Sequence, residues 1–331
     1  MALREASTGT MIGIMKLLVT GGAGYIGGIV TTMLLDAGHD VTVVDDLSTS
    51  PADGVPPGAT FVECGLHDVG TVLTREAGFD AVLHFAGLIA AGESMQQPGR
   101  YWHVNAGGSL ALLVAMRDAG VDRIVFSSTA AVYGDPESVP IPETSRLHPT
   151  NVYGDTKLAT DLMLAGEAAT RGLAAVSLRY FNVVGAYRAQ GERHTPETHL
   201  IPLALEAALG QRDEIAVFGT DYPTRDGTAI RDYIHVQDLA RAHLLALDAL
   251  TPGEHKVYNL GNGSGFSVRE VLAVVEQVTG KPLPAAERPR RAGDPVELVA
   301  SSERARTELG WVPAKPTLEA MVGDAWEFLQ R

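Results

Sequence analysis

The chain has 331 residues, of which 45% are hydrophobic and 20% charged, and its formal net charge is −14 at pH 7. This acidic balance argues against nucleic acid as a partner, because phosphate backbones are bound by clustered Lys and Arg. No apolar run reaches the roughly 18 residues of a membrane span, and the single cysteine, Cys64, excludes an internal disulfide and predicts a reducing cytoplasm.

The first 180 residues alternate between short apolar runs and segments with helical spacing. Residues 1–14 precede this pattern; they lack the apolar core of a signal peptide, and we expect a mobile extension. The predicted strands are 16–20, 41–45, 59–63, 81–85, 123–127 and 175–180, and the longer predicted helices are 24–37, 98–119 and 152–171. The alternation predicts an α/β fold, a Rossmann-type doubly wound parallel sheet buried on both faces.

Beyond residue 182 the simple alternation is lost, which predicts a smaller mixed α/β lobe. Residues 236–250 and 256–260 nevertheless resemble another helix–strand unit that could return to the sheet. We therefore predict a discontinuous division, with one domain at 15–181 plus about 236–262 and the lobe at 182–235 plus 263–331. Ser267 and Glu270 have the spacing of a capping box and predict a late helix.

A glycine-rich loop follows the first predicted strand and opens the first predicted helix. Gly21 and Gly24 permit a tight turn and the approach of backbone N–H groups to a pyrophosphate, and Gly27 permits close packing of helix on strand. Asp45 ends the second predicted strand, where a carboxylate binds the adenine ribose hydroxyls and repels a 2′-phosphate. These residues predict a dinucleotide-binding domain that prefers NAD to NADP.

A tyrosine and a lysine lie four residues apart on the helix predicted over 152–171. Tyr153 and Lys157 therefore share one helix face, and Thr129 follows a strand end, where sites in open α/β sheets form. We expect the ammonium and a nicotinamide ring to lower the tyrosine pKa, so that the phenol can take a proton from an alcohol. The histidines are scattered and no Cys pair exists, so we predict no metal site.

Six further segments carry a resemblance to a known family. They are 85–94 (FAGLIAAGES), 126–134 (FSSTAAVYG), 151–157 (NVYGDTK), 178–186 (LRYFNVVGA), 218–236 (FGTDYPTRDGTAIRDYIHV) and 290–294 (RRAGD). With the glycine loop they resemble the extended short-chain dehydrogenase/reductases and, within them, the UDP-glucose (UDP-galactose) 4-epimerase family, from about Met15 to the C-terminus. The resemblance implies a tightly held NAD, UDP-glucose and UDP-galactose as substrates, and a homodimer.

The resemblance also implies a mechanism. Tyr153 takes the proton of the sugar 4-hydroxyl while the C4 hydride moves to the nicotinamide; the 4-keto sugar then swings about its diphosphate, and the hydride returns to its opposite face. The fold supplies position and charge. For the homodimer we expect contacts from helices 98–119 and 152–171, which carry Leu110, Leu113, Leu158 and Leu162.

Individual residues carry over from the family to this chain. Implied NAD contacts are Gly21, Gly24, Tyr25, Ile26, Gly27, Asp45, Asp46, Leu47, Ser48, Ser50, Gly65, Leu66, Phe85, Ala86, Gly87, Asn105, Ser127, Tyr153, Lys157, Tyr180 and Phe181. Implied substrate contacts are Thr129, Tyr153, Asn182, His199, Leu200, Ala216, Val217, Phe218, Arg231, Arg291, Asp294 and Leu298. Two arginines suit a diphosphate, because each guanidinium can donate two hydrogen bonds at once.

Several residues depart from the family pattern. Residues 64–66 read Cys-Gly-Leu where Gly-Asp-Ile is frequent, so the carboxylate for the adenine amine is missing unless Asp68 replaces it. Ile89 stands where a lysine often lies near the nicotinamide ribose, and His199 stands where Asn is frequent. Leu298 occupies the position that limits bulk near the sugar C2, and it leaves tolerance of N-acetyl sugars open.

Three other functions compete with this interpretation. A sugar-nucleotide 4,6-dehydratase needs an acid and a base and resembles Thr-Asp-Glu where this chain has Thr129-Ala130-Ala131. A 4-epimerase of UDP-N-acetylhexosamines, UDP-pentoses or UDP-uronic acids would use the same machinery, and pocket shape must decide. A non-catalytic NAD-binding regulator would have no need of Thr129, Tyr153 and Lys157 together.

Overall fold

The computed structural model describes residues 13–194, 197–291 and 294–331, and parallel strands form the centre of the fold. The strands are β1 (Lys16–Thr20), β2 (Asp40–Asp45), β3 (Thr60–Glu63), β4 (Ala81–His84), β5 (Arg123–Thr129), β6 (Ala174–Tyr180), β7 (Asn182–Val184), β8 (Ala186–Tyr187), β9 (Gln190–Gly191), β10 (Ile215–Phe218), β11 (Ile230–Arg231), β12 (Tyr233–His235), β13 (His255–Leu260), β14 (Phe266–Ser267), β15 (Ala285–Arg288) and β16 (Glu297–Leu298). The predicted extension lies outside the described residues, except for residues 13 and 14, which are exposed.

Helices cover both faces of the central sheet. They are α1 (Tyr25–Asp36), α2 (Ala91–Gln96), α3 (Pro98–Tyr101), α4 (Gly108–Ala119), α5 (Val152–Arg171), α6 (Leu200–Ala208), α7 (Val236–Asp248), α8 (Val268–Thr279), α9 (Glu303–Leu309) and α10 (Leu318–Leu329). None of these helices combines the length and the apolar character that crossing a bilayer requires, as far as the described residues extend.

Seven strands form the large sheet, in the order β13-β6-β5-β4-β1-β2-β3. Every neighbouring pair is parallel. The strand order reverses between β1 and β4, and in open sheets of this type ligands bind at such a reversal, beyond the carboxyl ends of the strands. The predicted Rossmann-type doubly wound fold is confirmed.

Alternate residues of β1 enter the cores on opposite faces of the sheet. Leu17 and Val19 pack into the cluster formed with α1 and α7, whereas Leu18 packs into the cluster formed with α4. All three side chains are fully buried. Burial of one such side chain contributes about 1.5–3 kcal/mol, so the near-continuous apolar run of β1 reflects a strand covered on both faces.

The predicted helix over 98–119 is interrupted. A π-helical turn at Trp102–Gly107 separates α3 from α4, and such wider turns occur mostly at functional sites. The helix at 152–171 and the return of residues 255–260 to the sheet, beside β6, agree with the prediction. The proposed division into domains stays a prediction.

The C-terminal elements form a smaller layer beside the sheet. Helices α6, α8 and α10 share one apolar cluster, and β11 pairs with both β14 and β16. The predicted capping box is present: Ser267 Oγ accepts from the Glu270 N–H, and the Glu270 carboxylate accepts from the Ser267 N–H at 2.8 Å. This layer places its loops opposite the carboxyl ends of the sheet strands.

Candidate active site

A cleft of about 1530 Å³ opens beyond the carboxyl ends of β1, β2, β4 and β5. It is lined by many of the predicted residues, namely Gly21, Gly24, Tyr25, Ile26, Gly27, Asp45, Asp46, Ser48, Ser50, Gly65, Leu66, Phe85, Ala86, Gly87, Ser127, Tyr153, Lys157, Tyr180, His199, Arg291 and Asp294. Other predicted residues lie outside this lining, namely Leu47, Asn105, Thr129, Phe181, Asn182, Leu200, Ala216, Val217, Phe218, Arg231 and Leu298.

The glycine loop forms a tight cradle at the start of α1. Gly21 has a φ of +74°, and a Cβ atom added to Gly27 would lie 2.2 Å from the Gly21 carbonyl oxygen. Gly24 caps α1 without a side-chain hydrogen bond, so the first N–H groups of the helix keep their capacity to bind an anion. The cradle therefore fits the pyrophosphate of a dinucleotide.

The carboxylate of Asp45 is tied to this cradle. Its two oxygens accept hydrogen bonds from the N–H groups of Ala23 and Leu47, both at 3.0 Å. Burial raises the pKa of Asp45, while the two backbone hydrogen bonds act in the opposite direction. Leu47 thus acts through its backbone, and a carboxylate at the end of β2 keeps acceptor capacity for ribose hydroxyls.

Lys157 is buried at the base of the cleft, with 3% of its surface exposed. Its Nζ donates to the Ser127 carbonyl oxygen at 2.8 Å and lies 4.9 Å from the centre of the Phe126 ring. Burial lowers the pKa of Lys157 to about 8, and the carboxylate of Asp161 acts in the opposite direction. Tyr153 and Lys157 both lie on α5, one turn apart, and the bond from Lys157 joins this helix to β5.

Tyr153 lies on the same helix, and its phenol is hydrogen-bonded to Thr129. The Tyr153 backbone N–H donates to Ser94 Oγ at 3.0 Å, which fixes the first turn of α5. Burial raises the pKa of Tyr153, and the bond to Thr129 only partly opposes this. The lowered pKa that we expected from the ammonium and the nicotinamide together is not found in the chain alone, where desolvation of the phenol is the largest effect.

Two residues predicted to contact the cofactor, Tyr180 and Asn105, make hydrogen bonds to neighbouring parts of the site. Tyr180 OH contacts Ser127 Oγ. Asn105, 3% exposed, accepts from the Leu88 N–H at 2.8 Å and donates to the Leu88 carbonyl at 3.0 Å and to Thr156 Oγ1 at 3.0 Å. The amide of Asn105 thus joins the loop after β4 to α5, and it lies in the π-helical turn that interrupts the predicted helix.

The lobe brings charged residues to the opposite wall. Arg231 contacts the Asp294 carboxylate and donates to the Ile230 carbonyl oxygen at 2.7 Å. The Arg291 guanidinium lies 3.9 Å from the centre of the Phe218 ring. Both arginines are thus held by protein groups near the cleft, where planar guanidinium donors suit a diphosphate.

The remaining residues predicted to contact the substrate or cofactor lie in strands, helices or apolar clusters near the cleft. Asn182 Nδ2 donates to the Asp232 carbonyl at 2.9 Å, and Leu298 pairs with Arg231 across β16 and β11. Phe181 is buried in a separate apolar cluster. Leu200 begins α6, and Ala216 and Val217 lie in β10. Their assignment to the substrate stays a prediction.

The sequence interpretation missed several groups of the cleft. Tyr101 OH donates to Glu93 Oε2 at 2.8 Å, and Arg100 pairs with Glu93 at 2.7 Å, on the wall formed by α2 and α3. Glu192 and Glu197 line the lobe side. No spacing marks these residues, because their partners are set by the fold. Within the described ranges, no His, Cys, Asp and Glu side chains are grouped to hold a metal ion.

Comparison with known proteins identifies the family. The model of the NAD dependent epimerase/dehydratase family matches residues 17–261. The chain is 52% identical over 314 residues to a UDP-glucose 4-epimerase of Corynebacterium glutamicum and 54% identical over 316 residues to one of Streptomyces lividans, with 95% of each chain covered in both cases. A solved UDP-glucose 4-epimerase of Stenotrophomonas maltophila, with bound NAD and formylated UDP-arabinopyranose, superposes with a TM-score of 0.91 at 42% identity, covering 96% of this chain and 98% of that one. The chain belongs to the NAD dependent epimerase/dehydratase family.

Proposed function

We propose that this protein is an NAD-dependent UDP-glucose 4-epimerase that interconverts UDP-glucose and UDP-galactose. The observation that carries the proposal is that Tyr153 and buried Lys157 line one cleft together with the glycine cradle, and that the Tyr153 phenol interacts with Thr129 just outside the lining. Relatives that are 52% and 54% identical over nearly the whole chain bear that name. Alanines at 130 and 131 leave a dehydratase without its proton carriers.

The cradle and Asp45 are the residues that would hold NAD. NAD, when bound, accepts a hydride from C4 of the sugar and returns it. Tyr153 holds the proton of the 4-hydroxyl at its phenol oxygen and gives it back, so that no proton is lost over a turnover. Thr129 orients the phenol, and Lys157 supplies a positive charge on the same face of α5.

The lobe would hold the UDP portion. Arg231, Arg291 and Asp294 are the proposed contacts to diphosphate and ribose, and His199 of the same lobe also lines the cleft. An anchored diphosphate leaves the sugar free to turn, which the return of a hydride to the opposite face of C4 requires. The substrate is thus fixed at the group that does not react, in agreement with catalysis by positioning.

We also propose that the protein is a cytoplasmic homodimer. Leu110 on α4 and Leu162 on α5 expose 53% and 64% of their surfaces, and Val114 exposes 38%. Leu113 and Leu158, which we expected at the interface, pack instead in the cores of their own subunit. Light scattering should give twice the chain mass, and Leu162→Glu should lower it; a monomeric wild type at micromolar concentration would contradict the dimer.

The proposed activity is tested by incubating the protein with UDP-galactose and NAD and separating the products by chromatography. UDP-glucose should appear, and Tyr153→Phe should lower turnover at least about a hundredfold, the low end for loss of acid–base catalysis. Tyr187→Phe is the matched control, because that phenol bonds Asp36 at 3.2 Å on the outer surface. No UDP-glucose from the wild type, or normal turnover in Tyr153→Phe, would overturn the proposal.

A further inference from the structure

A histidine–carboxylate pair stands at the start of α6, on the lobe wall of the cleft. Glu197 Oε1 accepts from His199 Nδ1 at 2.7 Å and also from the backbone N–H groups of Thr198 at 2.6 Å and of His199 at 2.7 Å. The Glu197 side chain is 6% exposed, whereas that of His199 is 45% exposed. Three hydrogen bonds therefore hold the Glu197 carboxylate in a position shielded from solvent, whereas the His199 ring that it binds is exposed to the cleft.

The His199 ring lines the cleft and has one nitrogen available to a ligand. His199 Nε2 makes no hydrogen bond to the described part of the chain. The ring lines the cleft together with Arg291 and Asp294 of the same lobe. His199 is also the N-cap of α6 and makes no side-chain cap bond, so the positive end of a nine-residue helix lies at this residue.

The charges around the ring favour its protonated form. Glu197 bonds it, Glu192 lies nearby, and His194 lines the same wall. Elsewhere in the same lobe Asp294 is paired with Arg231, and Arg291 stacks on Phe218.

The pKa directions agree with this arrangement. The hydrogen bond that His199 donates to Glu197 raises the pKa of His199 above its ordinary value, although burial acts in the opposite direction. Burial alone would raise the pKa of Glu197, but the hydrogen bonds from His199 bring it below its ordinary value. The raised pKa of His199 and the lowered pKa of Glu197 therefore both favour the pair of a protonated imidazolium and an ionised carboxylate.

We propose that Glu197 is a positioning residue that keeps His199 protonated, and that the imidazolium binds the diphosphate of the nucleotide sugar, so that substrate affinity falls as pH rises above neutrality, independently of any change in turnover. This inference rests on the proposed epimerase function and extends it. The diphosphate diester of a nucleotide sugar holds no proton in this range, so the titrating group must belong to the protein.

The sign follows from linkage between proton and ligand. A ligand that prefers the protonated ring binds with full affinity below the pKa of that ring and loses affinity above it. Since the pKa of His199 is raised, the loss begins above the ordinary histidine value of about 6.5. Charge-assisted hydrogen bonds are roughly twice as strong as neutral ones, so we expect an affinity loss of about tenfold.

The test measures binding without turnover. The dissociation constant of UDP-glucose is determined by calorimetry in the NAD-loaded Tyr153→Phe protein between about pH 6 and about pH 9, and KM and kcat for UDP-galactose are measured in the active protein. The protein with Glu197 and His199 intact should show a tenfold rise in the dissociation constant and in KM over this range. Its kcat profile should match that of His199→Asn, because any effect of Lys157 on kcat is common to both proteins. Equal pH dependence of kcat and no change in KM would overturn the inference.

Two variants separate a charged donor from a merely structural residue. His199→Asn keeps a donor without a titrating charge and should give a flat, weak profile. Glu197→Gln keeps an oxygen for the backbone N–H groups and should move the fall in affinity to lower pH at unchanged thermal stability. His148→Asn, outside the lining of the cleft, should behave as wild type.

The outcomes distinguish this inference from the proposed function. If UDP-glucose binds with the same pH dependence in the protein with His199 and in His199→Asn, the role of the imidazolium is overturned and the proposed function is not. A Glu197→Gln profile identical to the wild-type one would overturn the role of the carboxylate. Absence of UDP-glucose binding at every pH, together with no epimerisation, would overturn the proposed function as well.

Discussion

Replacing Lys157 with methionine should lower activity and raise stability together. Burial lowers the pKa of this lysine from 10.5 to about 8, and a shift of about 2.5 units corresponds to about 3 kcal/mol of destabilisation at neutral pH. Methionine removes this cost but leaves the Ser127 carbonyl, now bonded at 2.8 Å, without its donor. That loss is about 1–2 kcal/mol. We therefore expect the variant to unfold with a free energy about 1–2 kcal/mol higher, while turnover falls at least about a hundredfold.

The pH dependence gives the decisive measurement. The folded pKa of Lys157 lies below the unfolded value, so between about pH 8 and about pH 10.5 the unfolded chain holds more protons and the wild type gains stability as pH rises. The advantage of Lys157→Met should shrink over that window. Urea unfolding of the nucleotide-free proteins, at unchanged m-value, measures it. Lys281→Met is the control at an exposed site. A variant less stable at pH 7, or a difference independent of pH, would refute the reasoning.

Three further substitutions test the cradle, a helix and the buried ion pair. Gly27→Ala should abolish NAD binding, measured by calorimetry, because its Cβ would lie 2.2 Å from the Gly21 carbonyl oxygen. Gly323→Ala, within α10 and with nothing within 4 Å of the added carbon, should raise the unfolding free energy by about 0.5–1 kcal/mol. Arg179→Met should lower the unfolding free energy by about 3–5 kcal/mol, because Asp161, paired at 2.8 Å and 3% exposed, would keep a buried charge without its partner. Urea unfolding measures the stability of the Gly323 and Arg179 variants. An Arg179 variant as stable as the wild type would contradict the reasoning.

The fold was predictable because its signals are local. The continuous apolar run at 16–20, typical of a strand buried on both faces, differs from the 3.6-residue spacing of apolar residues in the helices. The ends of α5 are also marked in the sequence. Asn151 caps its start by accepting from the Gly154 N–H, and Gly172 follows its end. The π-helical turn at 102–107 was not predictable, since helical periodicity continues through it. It depends on Asn105 bonding to a loop that is distant in sequence.

The site was predictable in its catalytic residues and less so in their surroundings. Tyr153 and Lys157 are four residues apart, so a helix is sufficient to bring them together. The contact of Arg231 with Asp294 joins residues 63 apart and requires the lobe to be folded. The direction of the Tyr153 pKa depends on how much water the fold removes, and spacing carries no information about that.

Burial has the same effect on both members of the catalytic pair. It raises the pKa of Tyr153 and lowers that of Lys157, so each side chain is pushed toward its neutral form. A neutral phenol is a poor base. The low dielectric constant that burial creates, however, also strengthens the electrostatic interaction of the phenol with any charge placed beside it. A unit positive charge about 5 Å away at an effective dielectric constant of about 20 contributes about 3 kcal/mol, or roughly two pKa units in favour of the phenolate. The positive charge of an oxidised nicotinamide would thus act against the effect of burial, and Tyr153 would be a stronger base in the cofactor-loaded protein. Proton abstraction would in this way be favoured in the state in which a hydride acceptor is present.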